Sequence, residues 1–238
     1  MNSTVVAVPS AQQIVTSIPS QLAPMAIIDI GSNSIRLVIY ASRGCYPFPL
    51  FNERANCRLG EGVGDDCMLR EERIEVALAT LSRFAKILSN MGILKVHAVA
   101  TAAVRRAKNA EQFIRPAAAL LNHEISVLSK KEEAYHVARG LTLNVPRATG
   151  LVADLGGGSI EVIKLSDGLI TRSASFDFGH LSDVKRSQIN AAFEAKEWIS
   201  AAKPKRLYGV GGSFRAFASA YIKQSGYPLP VLHGLNIP

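Results

Sequence analysis

Asp29-Ile-Gly-Ser-Asn-Ser-Ile35 decides the fold, because the chain repeats this stretch as Asp154-Leu-Gly-Gly-Gly-Ser-Ile160. Asp, Gly, Ser and Ile stand at matching positions in the two copies, and an apolar run lies on each side of both copies. Two apolar runs joined by a short segment of Gly, Ser and Asn are typical of two strands and a tight turn. The repeat therefore predicts two similar β-hairpins, one in each half of the chain.

The composition of the two turns indicates an anion site. Glycine adopts positive φ without steric cost and lets bare backbone N–H groups approach a ligand, and successive N–H groups form a concavity that suits phosphate. The alternative is two ordinary hairpins, since Gly, Ser, Asn and Asp are common in all turns. Two matching turns, each preceded by an Asp, favour one phosphate-bearing ligand held between two similar lobes.

Composition limits the class of protein. With 238 residues, of which 48% are hydrophobic, the chain is globular and can hold one large or two small domains. Its formal net charge of +8 favours a polyanionic partner, which leaves nucleic acid, nucleotide and inorganic polyphosphate open. No apolar run approaches the roughly 20 residues of a membrane span, so we expect no membrane partner.

Two further features concern the location of the protein and its first residues. The three cysteines show no C-x-x-C spacing, which argues against a disulfide framework and a structural zinc site and favours a reducing, cytoplasmic location. Residues 1–24 contain no Lys or Arg and three prolines. This segment lacks the charged start of a signal peptide, so we expect a disordered tail.

The rest of the chain alternates between strand and helix patterns, which predicts an α/β architecture. Pro47-Phe-Pro49 predicts a loop after the first hairpin. Strands are predicted at residues 95–100, 123–128 and 206–210. Helices are predicted at residues 71–90, 129–143, 187–202 and 213–222, with a further helix beginning near Asn109.

Glu133 is the candidate general base. Ser129 and Glu132 fit a capping box, in which Glu132 binds back to the backbone N–H of Ser129, and this leaves Glu133 without a structural task. The dipole at a helix start stabilises the ionised form of a carboxylate, as a general base requires. The alternative is an ordinary first-turn glutamate, because Glu is common there for the same reason.

Arginines and carboxylates near the turns suggest how a phosphate would be held. Arg105 and Arg106 follow a predicted strand, and arginine can bind phosphate oxygens through two charge-assisted hydrogen bonds. We expect one of the two to reach the ligand, and a solvated surface pair is the alternative. Asp154 and Glu161 flank the second turn and could hold Mg²⁺ beside the phosphate. Arg36 takes the place of Glu161 in the first copy, so one copy carries a positive charge where the other carries a negative one.

A third glycine motif follows the last predicted strand, where Gly211 and Gly212 precede a helix. A helix N-terminus offers free N–H groups and a partial positive charge, so this junction is a third candidate anion site. The residues predicted to contact phosphate are Gly31, Ser32, Asn33, Ser34, Gly156, Gly157, Gly158, Ser159, Gly211, Gly212 and Ser213.

Five stretches, in this order along the chain, resemble the successive motifs of the exopolyphosphatase/guanosine pentaphosphatase (Ppx/GppA) family. They are Ala26–Arg36, Ala100–Arg105, Ser129–Ala134, Val152–Glu161 and Tyr208–Arg215. The resemblance covers residues 25–238 and implies an actin-like, ribonuclease H-like fold of two lobes. The N-terminal lobe would comprise residues 25–128 and the second lobe residues 129–238.

The resemblance also implies roles for individual residues. Glu133 matches the catalytic glutamate of the family, and Arg105 matches its phosphate-binding arginine. Asp154 and Glu161 match acidic residues near the metal, and Gly156–Ser159 matches the phosphate loop. Mg²⁺ is the implied cofactor.

The implied activity is hydrolysis of the terminal phosphate of inorganic polyphosphate or of the 5′ γ-phosphate of guanosine pentaphosphate. The expected partners are therefore polyphosphate or guanosine penta- or tetraphosphate, without a membrane or a specific nucleic acid, and a homodimer is left open. Family members continue beyond the position of Pro238, so the second lobe is expected to be truncated. The alternatives are a non-catalytic binder of polyphosphate or guanosine alarmones and an actin-like ATP-dependent kinase.

Overall fold

The structure, a computed structural model, describes residues 23–41, 47–64, 66–201 and 204–238. The tail predicted at residues 1–24 lies outside this part, except for its last two residues. The chain divides into two compact units. The first unit contains the residues up to Ile30, Ser34–Ala100 and Arg106–Val127, and the second contains Gly31–Asn33, Thr101–Arg105 and Leu128–Pro238.

The first sheet has the strand order β3-β2-β1-β4-β5. Its strands are β1 (Met25–Ile30), β2 (Ile35–Ala41), β3 (Phe48–Ala55), β4 (Lys95–Ala100) and β5 (Ile125–Val127). β1, β2 and β3 form an antiparallel meander, while β4 runs parallel to β1 and β5 runs parallel to β4.

The second sheet repeats this plan, with the strand order β8-β7-β6-β9. Its strands are β6 (Gly150–Leu155), β7 (Ile160–Ser166), β8 (Leu169–Phe176) and β9 (Leu207–Val210). β6, β7 and β8 form an antiparallel meander, and β9 runs parallel to β6. Each copy of the repeated sequence joins the first two strands of its meander, so the prediction of two similar hairpins is confirmed.

The helices of the described residues are α1 (Glu71–Asn90), α2 (Ala102–Arg106), α3 (Ala110–Leu121), α4 (Lys130–Thr142), α5 (Arg186–Glu194), α6 (Glu197–Ser200) and α7 (Gly211–Ser225). α1 has the predicted bounds, and α4 lies within the predicted range. The single helix predicted at residues 187–202 is wrong, because α5 ends before Lys196 and α6 is a separate short helix. α2 was not predicted.

Two strands were also missed, and both lie at the edge of a sheet. The predicted loop at Pro47–Pro49 is wrong from Phe48 onwards, because β3 begins there and includes Pro49. An edge strand tolerates proline, since a backbone N–H that faces away from the sheet needs no partner. β3 and β8 expose most of their side chains, so neither shows the apolar alternation that marks a half-buried strand.

Separate apolar cores support the two units. In the first unit, α1 packs against α3, and Phe84 and Phe113 are fully buried. In the second unit, Ala134 and Ala138 of α4 belong to one buried cluster with β6 and β7 side chains that include Ile163. Small residues let the helix approach the sheet closely, and the burial of Ala134 fixes the position of Glu133 in the first turn of α4.

None of the described helices combines the length and the apolarity that crossing a bilayer requires.

Candidate active site

The two glycine turns lie against each other in the second unit. A Cβ atom placed on Gly157 would be 3.1 Å from the backbone nitrogen of Asn33 and 3.1 Å from Cβ of Ser32. A Cβ atom on Gly158 would be 2.7 Å from Oγ of Ser32, a distance that real Cβ atoms essentially never show. Because the turns touch at these residues, a ligand has to lie beside the joined turns and not between them.

The expectation of positive φ at the turn glycines is wrong. Among the described residues, positive φ occurs at other glycines, including Gly211 at +83°, but not at Gly31 or within Gly156–Gly158. Glycine is therefore favoured at positions 157 and 158 by close approach to the first turn: an added side chain would crowd Ser32 and Asn33 at position 157 and overlap Oγ of Ser32 at position 158.

The second turn keeps backbone donors available. It is closed by a hydrogen bond in which the Gly156 N–H donates to the Ser159 carbonyl at 2.9 Å. Within the described part of the chain, the N–H groups of Gly157 and Gly158 have no acceptor. Ser32 and Ser159 are both buried, with 5% and 3% of their surface exposed. Free N–H groups on successive residues are the feature that an anion-binding turn requires.

A loop that the sequence analysis missed supports the second turn. The His180 N–H donates to the Gly156 carbonyl at 3.1 Å, and the Leu181 N–H donates to the Gly157 carbonyl at 3.0 Å. A Cβ atom on Gly179 would overlap the backbone of both Gly156 and Gly157. No repeat or motif marks Gly179 in the sequence, so only the long-range contact reveals its role.

We expect Gly179→Ala to lower the free energy of unfolding by about 1–3 kcal/mol, because the added methyl group overlaps backbone atoms that cannot rotate away. Gly140→Ala is the matched control: Gly140 lies in α4 with no heavy atom within 4 Å of its added Cβ, and it should gain about 0.5–1 kcal/mol. Urea unfolding of the three proteins measures both changes. Equal stability of Gly179→Ala and the wild type would contradict the close contact.

Arg105 is held at one edge of its guanidinium group and unpaired at the other. Nη1 donates to the carbonyl of Leu128 at 2.9 Å and to Oε2 of Glu133 at 2.7 Å. Nε and Nη2 are buried and have no hydrogen-bond partner among the described residues. Buried donors are almost always paired, and these two point in the fork geometry that binds two oxygens of one anion. The arrangement therefore leaves two buried donors of Arg105 without an acceptor, as expected of an arginine that binds an anion.

The two neighbouring glutamates at the start of α4 have different partners. The Ser129 N–H donates to Oε2 of Glu132 at 2.8 Å and the Glu132 N–H donates to Oγ of Ser129 at 3.3 Å, so the capping box is confirmed. The backbone hydrogen bond from Ser129 lowers the pKa of the Glu132 carboxyl. Glu133 instead pairs with Arg105, and the two side chains are each 15% exposed.

Asp154 and Glu161 face each other across β6 and β7, as directly opposed residues of the antiparallel pair. Glu161 is only 2% exposed. Burial raises the pKa of its carboxyl to about 7. The charges of Glu133 and Asp154 raise it further, and hydrogen bonds from Ser159 and Ser175 lower it.

Among the residues that the structure describes, no set of three or more acidic, His or Cys side chains is arranged around one metal position.

The raised pKa of Glu161 predicts that stability falls as the pH rises. Its carboxyl changes from an ordinary pKa of 4.5 when unfolded to about 7 when folded, so folding favours the protonated form. The stabilisation is complete below pH 4.5 and is lost as the pH rises through 7, with a total of about 3 kcal/mol. Urea unfolding at pH 5 and pH 8, with a metal chelator present, measures this. The free energy of unfolding of Glu161→Gln should exceed that of the wild type by more at pH 8 than at pH 5. Parallel pH profiles of the two proteins would refute this.

The third glycine motif lies beside Asp154. Gly211 begins α7, and a Cβ atom on it would overlap Oδ1 of Asp154. Ser213 in the first turn of α7 donates from Oγ to the carbonyl of Leu155 at 2.7 Å. The start of α7 is therefore fixed to the end of β6, next to the second glycine turn.

Most of the predicted site residues belong to one unit. Ser34 is the exception: it lies in the first unit, where its Oγ accepts a hydrogen bond from Nε of Arg54 at 2.9 Å. The residues in the second unit are Gly31, Ser32, Asn33, Arg105, Glu133, Asp154, Gly156, Gly157, Gly158, Ser159, Glu161, Gly211, Gly212 and Ser213. Sequence reasoning missed Ser175, Gly179 and His180, of which Ser175 is the cross-strand neighbour of Glu161 on the unpredicted strand β8.

Comparison with known proteins finds relatives in sequence and structure. A guanosine-5′-triphosphate,3′-diphosphate pyrophosphatase of Pseudoalteromonas atlantica is 35% identical over 139 residues, which are 58% of this chain and 28% of that protein. A crystal structure of an exopolyphosphatase from Cytophaga hutchinsonii superposes with a TM-score of 0.75 at 27% identity, over 87% of this chain and 72% of that one. The Ppx/GppA family member of Aquifex aeolicus superposes with a TM-score of 0.66 at 26% identity, over 87% of this chain and 71% of that one.

These matches cover residues from both units, although the match spans less than a third of the length of the Pseudoalteromonas relative. The structural likeness confirms the predicted α/β fold, which these solved Ppx/GppA relatives share. The sequence model of the Ppx/GppA phosphatase family matches residues 38–234, which is most of the chain. Family model, sequence relatives and solved structures thus agree, and the chain belongs to the Ppx/GppA phosphatase family.

Proposed function

We propose that this protein removes the terminal phosphate of inorganic polyphosphate or of guanosine pentaphosphate by attack of water. The observation that carries the proposal is the guanidinium group of Arg105, whose Nε and Nη2 are buried donors without an acceptor. The named activities of the relatives from Cytophaga and Pseudoalteromonas, an exopolyphosphatase and a guanosine-5′-triphosphate,3′-diphosphate pyrophosphatase, both act on phosphate chains and agree with it.

The terminal phosphoryl group would bind beside the joined glycine turns. The free edge of Arg105 offers two parallel donors, and the N–H groups of Gly157 and Gly158 offer two more. Donors fixed by the fold stabilise the charge that spreads over the phosphate oxygens during transfer, without having to reorganise as the reaction proceeds.

Asp154 and Glu161 are the residues that would hold Mg²⁺, because a bound cation would offset the burial and the carboxylate charges of Glu133 and Asp154 that raise the pKa of Glu161. Mg²⁺ is commonly held by one or two carboxylates together with substrate phosphates and water. When bound, the ion would compensate negative charge on the phosphate. The pH 8 unfolding experiment also tests this assignment: added Mg²⁺ should stabilise the wild type more than Glu161→Gln, and equal stabilisation would count against it.

The chemical step would use Glu133 as the general base. Its Oε2 accepts from Arg105, and among the described residues nothing donates to its other oxygen, Oε1. Oε1 takes a proton from water as the water oxygen forms a bond to the terminal phosphorus. The bond from that phosphorus to the bridging oxygen breaks in the same step, and inorganic phosphate leaves from a chain that is one phosphate shorter.

The test is phosphate release with Mg²⁺ from three substrates: inorganic polyphosphate, guanosine pentaphosphate and ATP. We expect release from one of the first two and little from ATP alone. ATP turnover only in the presence of a sugar would overturn the proposal in favour of a kinase. Binding of polyphosphate or guanosine pentaphosphate without any release would overturn it in favour of a non-catalytic binder.

A further inference from the structure

A cavity lies at the end of the second sheet that is far from the glycine turns. It has a volume of about 540 Å³ and is formed where β6 begins, where β7 ends and where the chain enters β9. β6 has six residues and ends at the second glycine turn. At about 3.3 Å per residue, the cavity is roughly 15–20 Å from that turn, so the two places are distinct.

All charged residues that line this cavity are basic. They are Arg147, Lys164, Lys205 and Arg206. Each is exposed, and none forms an ion pair with any part of the chain that the structure describes. Four unpaired cations around one concave surface, without a carboxylate in the wall, attract a ligand with several negative charges.

The backbone fixes two of these cations on the two sides of β6, with Lys164 in β7 and Arg206 directly before β9. Lys164 lies directly opposite Leu151 in the β6–β7 pair. On the other side of β6, the Leu151 N–H donates to the carbonyl of Arg206 at 3.1 Å. Gly150, with φ of +141°, allows this approach, since a Cβ atom there would overlap the same carbonyl. The spacing between the backbones of Lys164 and Arg206 is thus set by sheet hydrogen bonds.

Apolar side chains form the other part of the wall, among them Val145, Leu165 and the aromatic ring of Tyr208. Tyr208 is partly buried against the core of the second unit, which limits its movement. Inorganic polyphosphate has no apolar part to place against these side chains. A nucleoside polyphosphate has both a ring that can stack on an aromatic side chain and phosphates for the cations, and a cavity of this size is typical of small-molecule sites.

We propose that this cavity is a second ligand site, which binds a nucleoside polyphosphate through its base and its phosphates. The proposal does not depend on catalysis at the glycine turns. It predicts that the protein binds GTP or ATP with a metal chelator present, and that the affinity depends on the basic residues that line this cavity.

Isothermal titration calorimetry tests it with GTP and ATP on the full chain in chelator. Lys164→Glu and Arg206→Glu should each weaken binding of the preferred nucleotide by about 10-fold or more, since each reverses the charge of a phosphate contact. Lys86→Glu, an exposed lysine of α1, makes the same charge change away from the cavity and should have little effect. Arg105→Ala, which disables the site at the glycine turns, should leave this binding in place. Tripolyphosphate, which lacks the base, should bind at least about 10-fold more weakly than the nucleotide.

Three outcomes would overturn the proposal. The first is no binding of either nucleotide, and the second is tripolyphosphate binding as tight as nucleotide binding. The third is binding that Arg105→Ala removes while Lys164→Glu and Arg206→Glu do not affect it. A thermal melt of each variant establishes that it is folded, and both reversed side chains are exposed, so we expect no loss of structure.

Discussion

Glu133→Gln is expected to reduce phosphate release by about 10²–10⁴-fold, because a neutral amide cannot take the proton of the attacking water. The side chain keeps its size, and its amide oxygen can still accept the hydrogen bond that Nη1 of Arg105 donates to Oε2 at 2.7 Å. Substrate binding should therefore change far less than turnover. Steady-state release of phosphate from the preferred substrate measures the two effects separately.

Glu132→Gln is the matched control for this variant. It makes the same chemical change one residue earlier, in the side chain that caps α4 by binding the Ser129 N–H. Glutamine also serves as the N3 residue of a capping box, so α4 should stay intact and turnover should change little. Similar losses in the two variants, or full activity of Glu133→Gln, would exclude Glu133 as the base.

Arg105→Lys is expected to lower kcat/KM by about 100-fold or more. Lysine keeps the positive charge but lacks the second edge of the guanidinium, where Nε and Nη2 are the unpaired buried donors. Two charge-assisted hydrogen bonds to one phosphate would be lost or weakened, and such bonds are worth roughly 1.5–3 kcal/mol each. Because Arg105 would touch the ligand directly, KM should rise together with a fall in kcat.

Arg106→Lys is the control for Arg105→Lys, since it makes the same change in the adjacent residue of α2. We expect it to keep kcat/KM within a few-fold of the wild type. If both variants lost activity equally, the effect would come from α2 as a whole. If Arg105→Lys kept full activity, the free edge of its guanidinium would have no role in binding phosphate.

Features encoded over a few residues were predictable from the sequence. The capping box at Ser129 and Glu132 depends on side chains three positions apart, and the long apolar pattern of α1 spans residues 71–90, so both were placed correctly. The repeated turn was also informative, since the same strand order recurs around each copy.

Features that depend on distant contacts were not predictable. β8 exposes most of its side chains, so no apolar pattern marks it, and Ser175, which donates to Glu161, was missed with it. Gly179 is a single glycine in a loop, and its importance arises from the backbone of Gly156 packed against it. The raised pKa of Glu161 likewise requires knowledge of burial, which the sequence around it does not specify.

The glycine turns that touch at Ser32 and Gly158 come from opposite halves of the chain, and this has a consequence for folding. Contacts of such high contact order form only after the entropy of closing a long loop has been overcome. A nascent chain that still has Gly158 inside the ribosome therefore lacks the contact between the two turns. Because a ligand that binds only the folded site stabilises it by mass action, a phosphate ligand would favour chains in which the two turns have met over earlier intermediates.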